Sequence, residues 1–290
     1  MHILVLHQLI YNEVVINRNS YIRGIQMNRL EGRVVIVTGA GQGLGNGVSK
    51  RICSEGGAIV AVDIDFEKAE KTVAEIKAAG GKALAVKCDV TNSAEIEAMV
   101  KAACAEFGKV DGLVNIVGVS NEARNGWRIM DLTEESWDFL IDINLKSAFL
   151  MTKYTLPEMI KCGGGSIINI ASIAAFEPNF GAAYAAAKAG LVAFSKSTAV
   201  QYADDNIRCN IVAPGAMDTP GGVSVSGKGV FAGHEKRRTR MIMDRAGTPD
   251  DIAAACAYLL SDEASYITAA TLHIDGGALA LLSDIPKRVK

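Results

Sequence analysis

From residue 33 onward the chain alternates short apolar runs with longer amphipathic segments, and few folds accommodate that alternation. The short runs are rich in β-branched residues, as in Val34–Thr38, which is typical of buried strands. The longer segments carry apolar residues at helical spacing, and the one over Glu67–Ala79 ends at Gly80-Gly81, a helix-stop signal. About seven such alternations follow one another without a linker. The sequence therefore predicts one doubly wound α/β domain with a mostly parallel, seven-stranded sheet.

The same alternation gives bounds for each element. The predicted strands are Val34–Thr38, Ala58–Asp63, Lys82–Lys87, Gly112–Val117, Ser166–Ile170, Ile207–Ala213 and Thr271–Ile274. The predicted helices are Gly45–Glu55, Glu67–Ala79, Asn92–Phe107, Thr133 to about Cys162, Tyr184–Tyr202 and Thr248–Ser261. Asn92, Thr133 and Thr248 have side chains that cap helix N-termini well, so these three helices have a defined predicted start.

The charge balance and the composition exclude several classes of protein. Lys and Arg total 30 against 32 Asp and Glu, a formal net charge of −2, which argues against a nucleic-acid-binding protein. No apolar run approaches the roughly 20 residues of a membrane span, so we expect neither a nucleic-acid nor a membrane partner. The six cysteines form no CxxC pair and the four histidines do not cluster, which predicts free thiols and no protein-built metal site. With no targeting signal, the predicted location is the cytoplasm.

Residues 1–26 differ in pattern from the rest of the chain. Met1–Ile10 is apolar but lacks the basic leading region and the cleavage site of a signal peptide. We therefore predict an N-terminal extension over residues 1–26, either loosely held or absent from a native chain that starts at Met27. The alternative is an added strand or an arm used in oligomer contacts. Residues 27–290 are predicted to form the single domain.

A glycine-rich loop connects the first predicted strand to the first predicted helix. It reads Thr38-Gly39-Ala40-Gly41-Gln42-Gly43-Leu44-Gly45, which fits Thr-Gly-x-x-x-Gly-x-Gly and not Gly-x-Gly-x-x-Gly. Glycines allow a tight turn and a close approach of the backbone to a diphosphate, whose charge then faces the helix N-terminus. The loop therefore predicts dinucleotide binding, with a plain strand-to-helix connection as the alternative.

Asp63 ends the second predicted strand, at the roughly 20-residue spacing from the loop that dinucleotide sites use. A carboxylate there accepts hydrogen bonds from both ribose hydroxyls of the adenosine and repels a 2′-phosphate. Gln42 is uncharged, and neither residue 64 nor residue 65 is an Arg or Lys that would neutralise such a phosphate. The pattern predicts NAD and not NADP as the cofactor. The alternative for Asp63 is a solvated residue at the end of a strand.

Tyr184 and Lys188 are four residues apart in a predicted helix, so they share one face. Ser172 follows the fifth predicted strand, at the edge where parallel sheets place their sites. Hydride transfer from an alcohol needs a base for the hydroxyl proton, and a free Tyr, with a pKa of about 10, is a poor one. A Lys ammonium and a positive nicotinamide ring are expected to lower that pKa. Ser172 is expected to hydrogen-bond to the reacting oxygen. The alternative for the spacing of Tyr184 and Lys188 is an ordinary amphipathic helix without a catalytic role.

Together these motifs resemble those of the short-chain dehydrogenase/reductase family over about residues 33–278. The residues that carry the resemblance are the loop at 38–45, Asp89, Asn115, Asn144, Ser172, Tyr184, Lys188 and Pro214-Gly215. The resemblance implies a Rossmann-type domain and a catalytic tetrad of Asn144, Ser172, Tyr184 and Lys188. It also implies that Asn144, a poor helix former inside a predicted helix, bends that helix and helps to hold a water in a proton relay through Lys188.

The resemblance also implies roles in cofactor binding. Asp89 and Val90 contact the adenine in such a protein, and Asn115 stabilises the sheet beside the cofactor. Lys188 bonds the nicotinamide ribose. The predicted cofactor-binding residues are Gly39, Gln42, Gly43, Leu44, Gly45, Asp63, Asp89, Val90, Asn115, Val117, Gly118, Tyr184, Lys188, Pro214, Gly215 and Thr219. Val117 departs from the family, which has the smaller Ala there, and is expected to shift the fit of the cofactor without preventing binding.

The substrate is expected to meet three variable segments, Ser120–Asp131, Ala174–Phe180 and Pro220–Arg245, of which the last is a predicted lid over about 220–245. The basic run His234–Arg240 in that lid is interpreted as a solvated helix face, with a site for an anionic substrate as the alternative.

The leading interpretation is an NAD-dependent oxidoreductase that transfers a hydride between NAD(H) and a secondary alcohol or ketone, with Tyr184 as general acid and base. The alternatives are an NADH-linked 3-oxoacyl reductase and a non-catalytic dinucleotide-binding scaffold. The Ala-rich helix carries apolar residues, Leu191, Val192 and Phe194, on more than one face. Members of the family that this chain resembles are commonly homotetramers or homodimers, and these apolar faces predict the same for this protein.

Overall fold

The computed structural model describes residues 28–120, 128–177, 181–219, 241–243 and 245–281. The predicted extension over residues 1–26 lies outside these ranges, as does Met27. Most of the predicted lid, residues 220–240 and 244, lies outside them as well.

A seven-stranded sheet forms the centre of the domain, and every strand pairs in parallel with its neighbours. Its strand order is β3-β2-β1-β4-β5-β6-β7, so the chain changes direction across the sheet between β1 and β4. The strands are β1 (Val34–Thr38), β2 (Ala58–Asp63), β3 (Lys82–Lys87), β4 (Gly112–Asn115), β5 (Gly165–Ile170), β6 (Ile207–Pro214) and β7 (Thr271–Ile274). This confirms the predicted doubly wound, parallel sheet.

Helices connect the strands and cover both faces of the sheet. They are α1 (Gly43–Ser54), α2 (Phe66–Ala78), α3 (Ser93–Phe107), α4 (Glu134–Ile141), α5 (Ser147–Lys161), α6 (Ala182–Gln201) and α7 (Pro249–Leu260). The three predicted helix starts are confirmed: the side chains of Asn92 and Thr133 each accept a hydrogen bond from a backbone N–H of the helix that follows, and the Asp251 carboxylate accepts hydrogen bonds from the N–H and the hydroxyl of Thr248. Thr248 forms a full capping box with Asp251.

The core consists of two apolar layers, one on each face of the sheet. Alternate residues of β1 supply them: Val35 and Val37 pack into one layer, Val34 and Ile36 into the other. All five residues of β1 are buried. A strand covered on both faces has no solvent-facing side, which explains why this run is continuously apolar instead of alternating with polar residues.

Several predicted boundaries differ from the structure, and three of these differences lie near the predicted site. The first helix begins at Gly43, before the predicted Gly45. Strand β4 stops at Asn115 and not at Val117, because the N–H groups of Ile116 and Val117 donate to the side-chain Oγ1 of Thr38 instead of to a backbone carbonyl of a neighbouring strand. The helix predicted as continuous from Thr133 to Cys162 is divided into α4 and α5 by a π-helical turn over Asp142–Lys146.

None of the helices in the described ranges is long and apolar enough to cross a membrane. All six cysteines are free, and Cys88, Cys209 and Cys256 are buried. Within the same residues, His, Cys, Asp and Glu nowhere form a group of three or more that would hold a metal ion.

Candidate active site

The predicted site residues gather at the edge of the sheet formed by the carboxyl ends of the strands. The loop after β1, Asp63 at the end of β2 and Asp89 after β3 lie along one half of this edge. Ser172 after β5 and Pro214 at the end of β6 lie along the other half. The reversal of strand order between β1 and β4 falls between the halves, where doubly wound sheets bind their ligands.

The loop after β1 forms a cradle that only glycines permit. Gly39 and Gly43 have φ angles of +64° and +54°, in the region that side chains disfavour. A Cβ on Gly45 would lie 2.0 Å from the carbonyl oxygen of Gly39, so the first turn of α1 packs directly on the loop. Gln42, at the N-cap of α1, makes no capping hydrogen bond with its side chain, and the first turn carries no acidic residue. The first N–H groups of α1 therefore suit the diphosphate of a dinucleotide.

Asp63 faces this loop from the end of β2. Its Oδ2 accepts a hydrogen bond from the N–H of Gly41 at 2.9 Å, and its Oδ1 accepts one from the N–H of Asp65 at 3.0 Å. A Cβ on Gly41 would lie 2.8 Å from Oδ2 and 2.6 Å from the Cβ of Lys68. The carboxylate therefore lies beside the phosphate cradle, as a ribose ligand must.

Lys68 is a residue of this region that sequence reasoning missed. Residues 64 and 65 carry no cation, but the first turn of α2 brings Lys68 back to the loop. Its ammonium pairs with Asp65 Oδ2 at 2.8 Å, a hydrogen bond that raises the pKa of Lys68, and the charge of Asp63 raises it further. Lys68 is three residues after Asp65, and this helical spacing in the sequence indicates that the two side chains lie close together.

The predicted adenine contacts follow β3, the strand next to β2. The carboxylate of Asp89 accepts hydrogen bonds from the backbone N–H and the hydroxyl of Thr91, at 2.8 and 2.7 Å. Val90 is buried. The turn is thus held by its own side chains at the same edge as Asp63, and contact with adenine stays a prediction.

Asn115 and Val117 lie at the junction of the two halves. Asn115 Nδ2 donates to Asn169 Oδ1 at 2.8 Å, which ties β4 to β5 within the buried sheet. Val117 Cγ2 lies 3.3 Å from where a Cβ on Gly39 would be. The bulk of Val117 is therefore accommodated against the bare backbone of Gly39, on the flank of the cradle.

Asn144 lies inside the π-helical turn, and its side chain is buried. Its Nδ2 donates to the carbonyl oxygens of Val119 and Leu140, each at 3.0 Å, and its Oδ1 accepts from the N–H of Val119 at 3.0 Å. The Asn144 side chain thus bonds both backbone groups of Val119, in the segment after β4, as a neighbouring strand would. The predicted distortion of the helix at Asn144 is confirmed, and the proton relay stays a prediction.

Lys188 is buried in α6 and reaches the end of β5. Its Nζ donates to the carbonyl oxygen of Ile170 at 2.9 Å, and burial lowers its pKa to about 8. A Cβ on Gly118 would lie 2.9 Å from Lys188 Nζ and 2.8 Å from Asn144 Oδ1. Gly118 therefore leaves the space in which these two tetrad members approach each other.

Tyr184 and Ser172 form the other pair of the predicted tetrad. Burial raises the pKa of Tyr184, and a hydrogen bond with Ser172 opposes part of that rise. The expectation that Lys188 lowers this pKa is not met in the chain by itself. The ammonium lies 5.7 Å from the centre of the Tyr184 ring and donates to Ile170 instead.

The predicted cofactor-binding residues Gly215 and Thr219 follow β6. The Gly215 N–H donates to Ile274 at 3.0 Å, and a Cβ on Gly215 would lie 2.7 Å from the Cα of Asp275, so Gly215 packs directly on the turn after β7. Thr219 approaches the cradle, with its Cβ 3.7 Å from where a Cβ on Gly43 would be. These residues therefore border the crevice opposite Asp63.

Two polar residues beneath the tetrad were also missed. Asn169 Nδ2 donates to Ser195 Oγ at 2.8 Å, and Ser195 Oγ donates to the carbonyl oxygen of Leu191 at 2.6 Å. Both side chains are fully buried. The sequence does hold a signal for this pair: Asn169 is a polar residue in the apolar run Gly165–Ile170, and a buried polar group needs a hydrogen-bond partner.

Comparisons with known proteins agree with this geometry. A family model described as enoyl-(acyl carrier protein) reductase matches residues 39–278. The chain is 39% identical over 252 residues to the 2,5-dichloro-2,5-cyclohexadiene-1,4-diol dehydrogenase LinX of Sphingobium indicum, covering 86% of this chain and 97% of that protein. It is 36% identical over 250 residues to the 3-oxoacyl-[acyl-carrier-protein] reductase FabG of Thermotoga maritima, covering 86% of this chain and 98% of that protein.

Solved structures give the same result. A protein of Burkholderia xenovorans described as a short-chain dehydrogenase/reductase superposes with a TM-score of 0.81 at 38% identity, over 88% of this chain and 99% of that one. A 7α-hydroxysteroid dehydrogenase, solved with NADH and 7-oxo glycochenodeoxycholic acid, superposes with a TM-score of 0.80 at 33% identity, over 87% of this chain and 96% of that one.

Proposed function

This chain belongs to the short-chain dehydrogenase/reductase family, and from that premise we propose that its substrate is an apolar, cyclic secondary alcohol or the corresponding ketone. It is an NAD-dependent oxidoreductase that acts on CH–OH groups. The observation that carries the reaction is the hydrogen-bonded pairing of the buried Tyr184 with Ser172, with Lys188 and Asn144 converging on Gly118.

The residues of the cradle are suited to hold NAD, whose nicotinamide accepts or supplies the hydride. The first N–H groups of α1 would bind its diphosphate, Asp63 its adenosine ribose, and Lys188 the second ribose. In alcohol oxidation, Ser172 holds the substrate hydroxyl and Tyr184 Oη accepts its proton; in ketone reduction the same phenol donates it. Lys188 and Asn144 are proposed to relay the proton that leaves Tyr184 toward solvent.

Two apolar side chains support the substrate class. Val119 is 38% exposed, and its backbone is bonded to the Asn144 side chain. Phe176, 44% exposed, follows the turn that Ser172 caps and lies edge-on to His273 with ring centres 4.8 Å apart. Exposed apolar groups beside a reacting hydroxyl favour an apolar substrate body. LinX and the hydroxysteroid dehydrogenase are both named for ring alcohols.

The experiment measures NADH formation by the purified protein with cyclic secondary alcohols, with NAD and NADP in parallel. We expect turnover with NAD on cyclohexanol-like substrates, reduced by about 10²- to 10⁴-fold in Tyr184→Phe. Turnover that survives in Tyr184→Phe would contradict the assignment of the acid and base. Binding of NADH without any turnover across the panel would favour the dinucleotide-binding scaffold.

A 3-oxoacyl reductase is the second candidate, and the similarity to FabG is the observation that favours it. Acetoacetyl-coenzyme A with NADH tests it in the same assay. Faster turnover on this thioester than on any cyclic ketone would replace the first proposal. The basic run His234–Arg240, outside the described residues, would then become the candidate contact for the anionic carrier.

We propose that the enzyme is cytoplasmic and forms a homotetramer or a homodimer. The apolar side chains Trp137, Phe149 and Val200, on α4, α5 and α6, are 40%, 44% and 77% exposed in the single chain, and Phe149 packs edge-on against Phe194 of α6. Exposed apolar surface of this kind is typical of a covered face. A monomeric mass in light scattering would contradict the proposal.

We also propose the domain division that the sequence predicts, with an extension over residues 1–26, one domain over residues 27–290 and a lid at about 220–245.

A further inference from the structure

Thr72 lies on α2, outside every motif used above, yet it contacts the phosphate cradle. Its side chain is completely buried. Its hydroxyl donates to the carbonyl oxygen of Ala40 at 2.9 Å and accepts a hydrogen bond from Asn46 Nδ2, also at 2.9 Å. The hydroxyl thus connects α1, α2 and the loop after β1.

The carbonyl of Ala40 and the N–H of Gly41 belong to one peptide plane, and the two ends of that plane have different partners. The carbonyl accepts from Thr72, and the N–H donates to Asp63 Oδ2 at 2.9 Å. A peptide group is planar, so a rotation that removes the carbonyl from Thr72 also moves the N–H away from Asp63. The orientation of the Asp63 carboxylate is therefore coupled to the Thr72 hydroxyl.

Few other contacts fix this plane. The N–H of Ala40 donates to Val62 at 3.1 Å, which holds the preceding peptide. Ala40 is fully buried, so its carbonyl oxygen has no solvent to replace a lost donor. A buried acceptor without a donor is unfavourable, and rotation of the peptide is its route to another partner.

We propose that Thr72 is a positioning residue for the adenosine ribose of the dinucleotide: it holds the Ala40–Gly41 peptide so that Asp63 presents its carboxylate beside the cradle. This inference rests on the proposed role of Asp63 in cofactor binding. Thr72 itself does not touch the cofactor in this assignment. Its removal therefore affects the affinity for the adenosine half and leaves the chemistry at Tyr184 intact.

The test measures binding of NADH by fluorescence and of ADP-ribose by calorimetry. Thr72→Val keeps the shape and removes the hydroxyl. We expect both dissociation constants to rise about tenfold, about 1.4 kcal/mol, with kcat at saturating NAD within about twofold of wild type. Thr72→Ser restores the hydroxyl and is expected to bind NADH and ADP-ribose as wild type does.

Thr155→Val is the matched control. Thr155 is also completely buried, and its hydroxyl has no hydrogen-bond partner in the described part of the chain. We expect it to bind both ligands normally. In a double-mutant cycle, Thr72→Val is expected to have a much smaller effect when Asp63 is already Ala.

Each outcome is decisive. Equal affinities in wild type and Thr72→Val, equal weakening in Thr155→Val, or full additivity with Asp63→Ala would each overturn the role of Thr72 while leaving the proposed function intact. A wild-type protein that binds neither NADH nor ADP-ribose would overturn the proposed function itself.

Discussion

At the end of β1 the loop that faces the dinucleotide is held by backbone groups and glycines, whereas at the end of β5 the tetrad is held by buried side chains. A Cβ on Gly45 would meet the Gly39 carbonyl at 2.0 Å, and the Gly41 N–H reaches Asp63. Lys188 and Asn144, by contrast, are fixed by their own side-chain hydrogen bonds to Ile170 and Val119. In the first half an added Cβ at Gly45 meets backbone, whereas in the second half the loss of a buried polar side chain removes hydrogen bonds.

The largest effect is expected from adding one methyl group to the cradle. Gly45→Ala places a Cβ on backbone that cannot move aside, so the loop must shift from α1. We expect the dissociation constant for NADH to rise at least about a hundredfold, about 2.7 kcal/mol. Gly190→Ala is the control, because its Cβ meets only the flexible end of Leu145. Normal NADH binding by Gly45→Ala would show that the cradle is not closely packed.

In the second half, burial of a charge should appear as a pH dependence of stability. The pKa of Lys188 is about 8 in the folded chain, below its ordinary 10.5, because burial disfavours the ammonium. Between these values the unfolded chain binds more protons, so the free energy of unfolding rises with pH. The contribution is fully present above pH 10.5 and is lost as pH falls through about 8.

Chemical denaturation of wild type and Lys188→Met from pH 7 to 10.5 measures this contribution. We expect the wild-type value minus the variant value to rise by up to about 3 kcal/mol. Lys196→Met removes an exposed ammonium from the same helix and serves as control. A flat difference curve for Lys188→Met would mean that this Lys is not desolvated.

Removal of the Asn144 amide should separate chemistry from cofactor binding. In Asn144→Ala the N–H and the carbonyl of Val119 lose their partners beside the tetrad. We expect kcat to fall about thirtyfold, an effect near 2 kcal/mol, within the range for unsatisfied buried groups. The affinity for NADH, measured by fluorescence, should change by less than about twofold. A loss of NADH affinity as large as the loss of kcat would contradict the claim that Asn144 serves the chemistry and not the binding of the cofactor.

The smallest expected effect concerns the choice of cofactor. Asp63→Ala removes the carboxylate that repels a 2′-phosphate, so the ratio of NADPH to NADH dissociation constants should fall about tenfold. Lys68→Ala is expected to raise that ratio, since its cation lies near Asp63. Binding titrations with both nucleotides measure the ratio. A change of the same sign in both variants would contradict the electrostatic explanation.

Local sequence patterns determined most of the sheet and the cradle. The bounds of β1, β2, β3 and β7 were predicted correctly, because each is a short apolar run closed by a turn. The loop after β1 and the position of Asp63 were also predicted, because glycine freedom and a strand end are properties of consecutive residues. Ser172, Tyr184, Lys188 and Asn144 were assigned from motifs, and the structure gathers them at one edge.

Contacts between distant segments were decided only by the tertiary structure. The early end of β4 depends on Thr38, and the hydrogen bond from Thr72 to Ala40 joins residues far apart in the chain. The pKa of Tyr184 is raised and not lowered, because packing buries the phenol. Burial and hydrogen-bond partners are set by what the fold brings together. The sequence determines which hydrogen-bond donors and acceptors are present, and only the fold determines which of them lie within about 3 Å of each other.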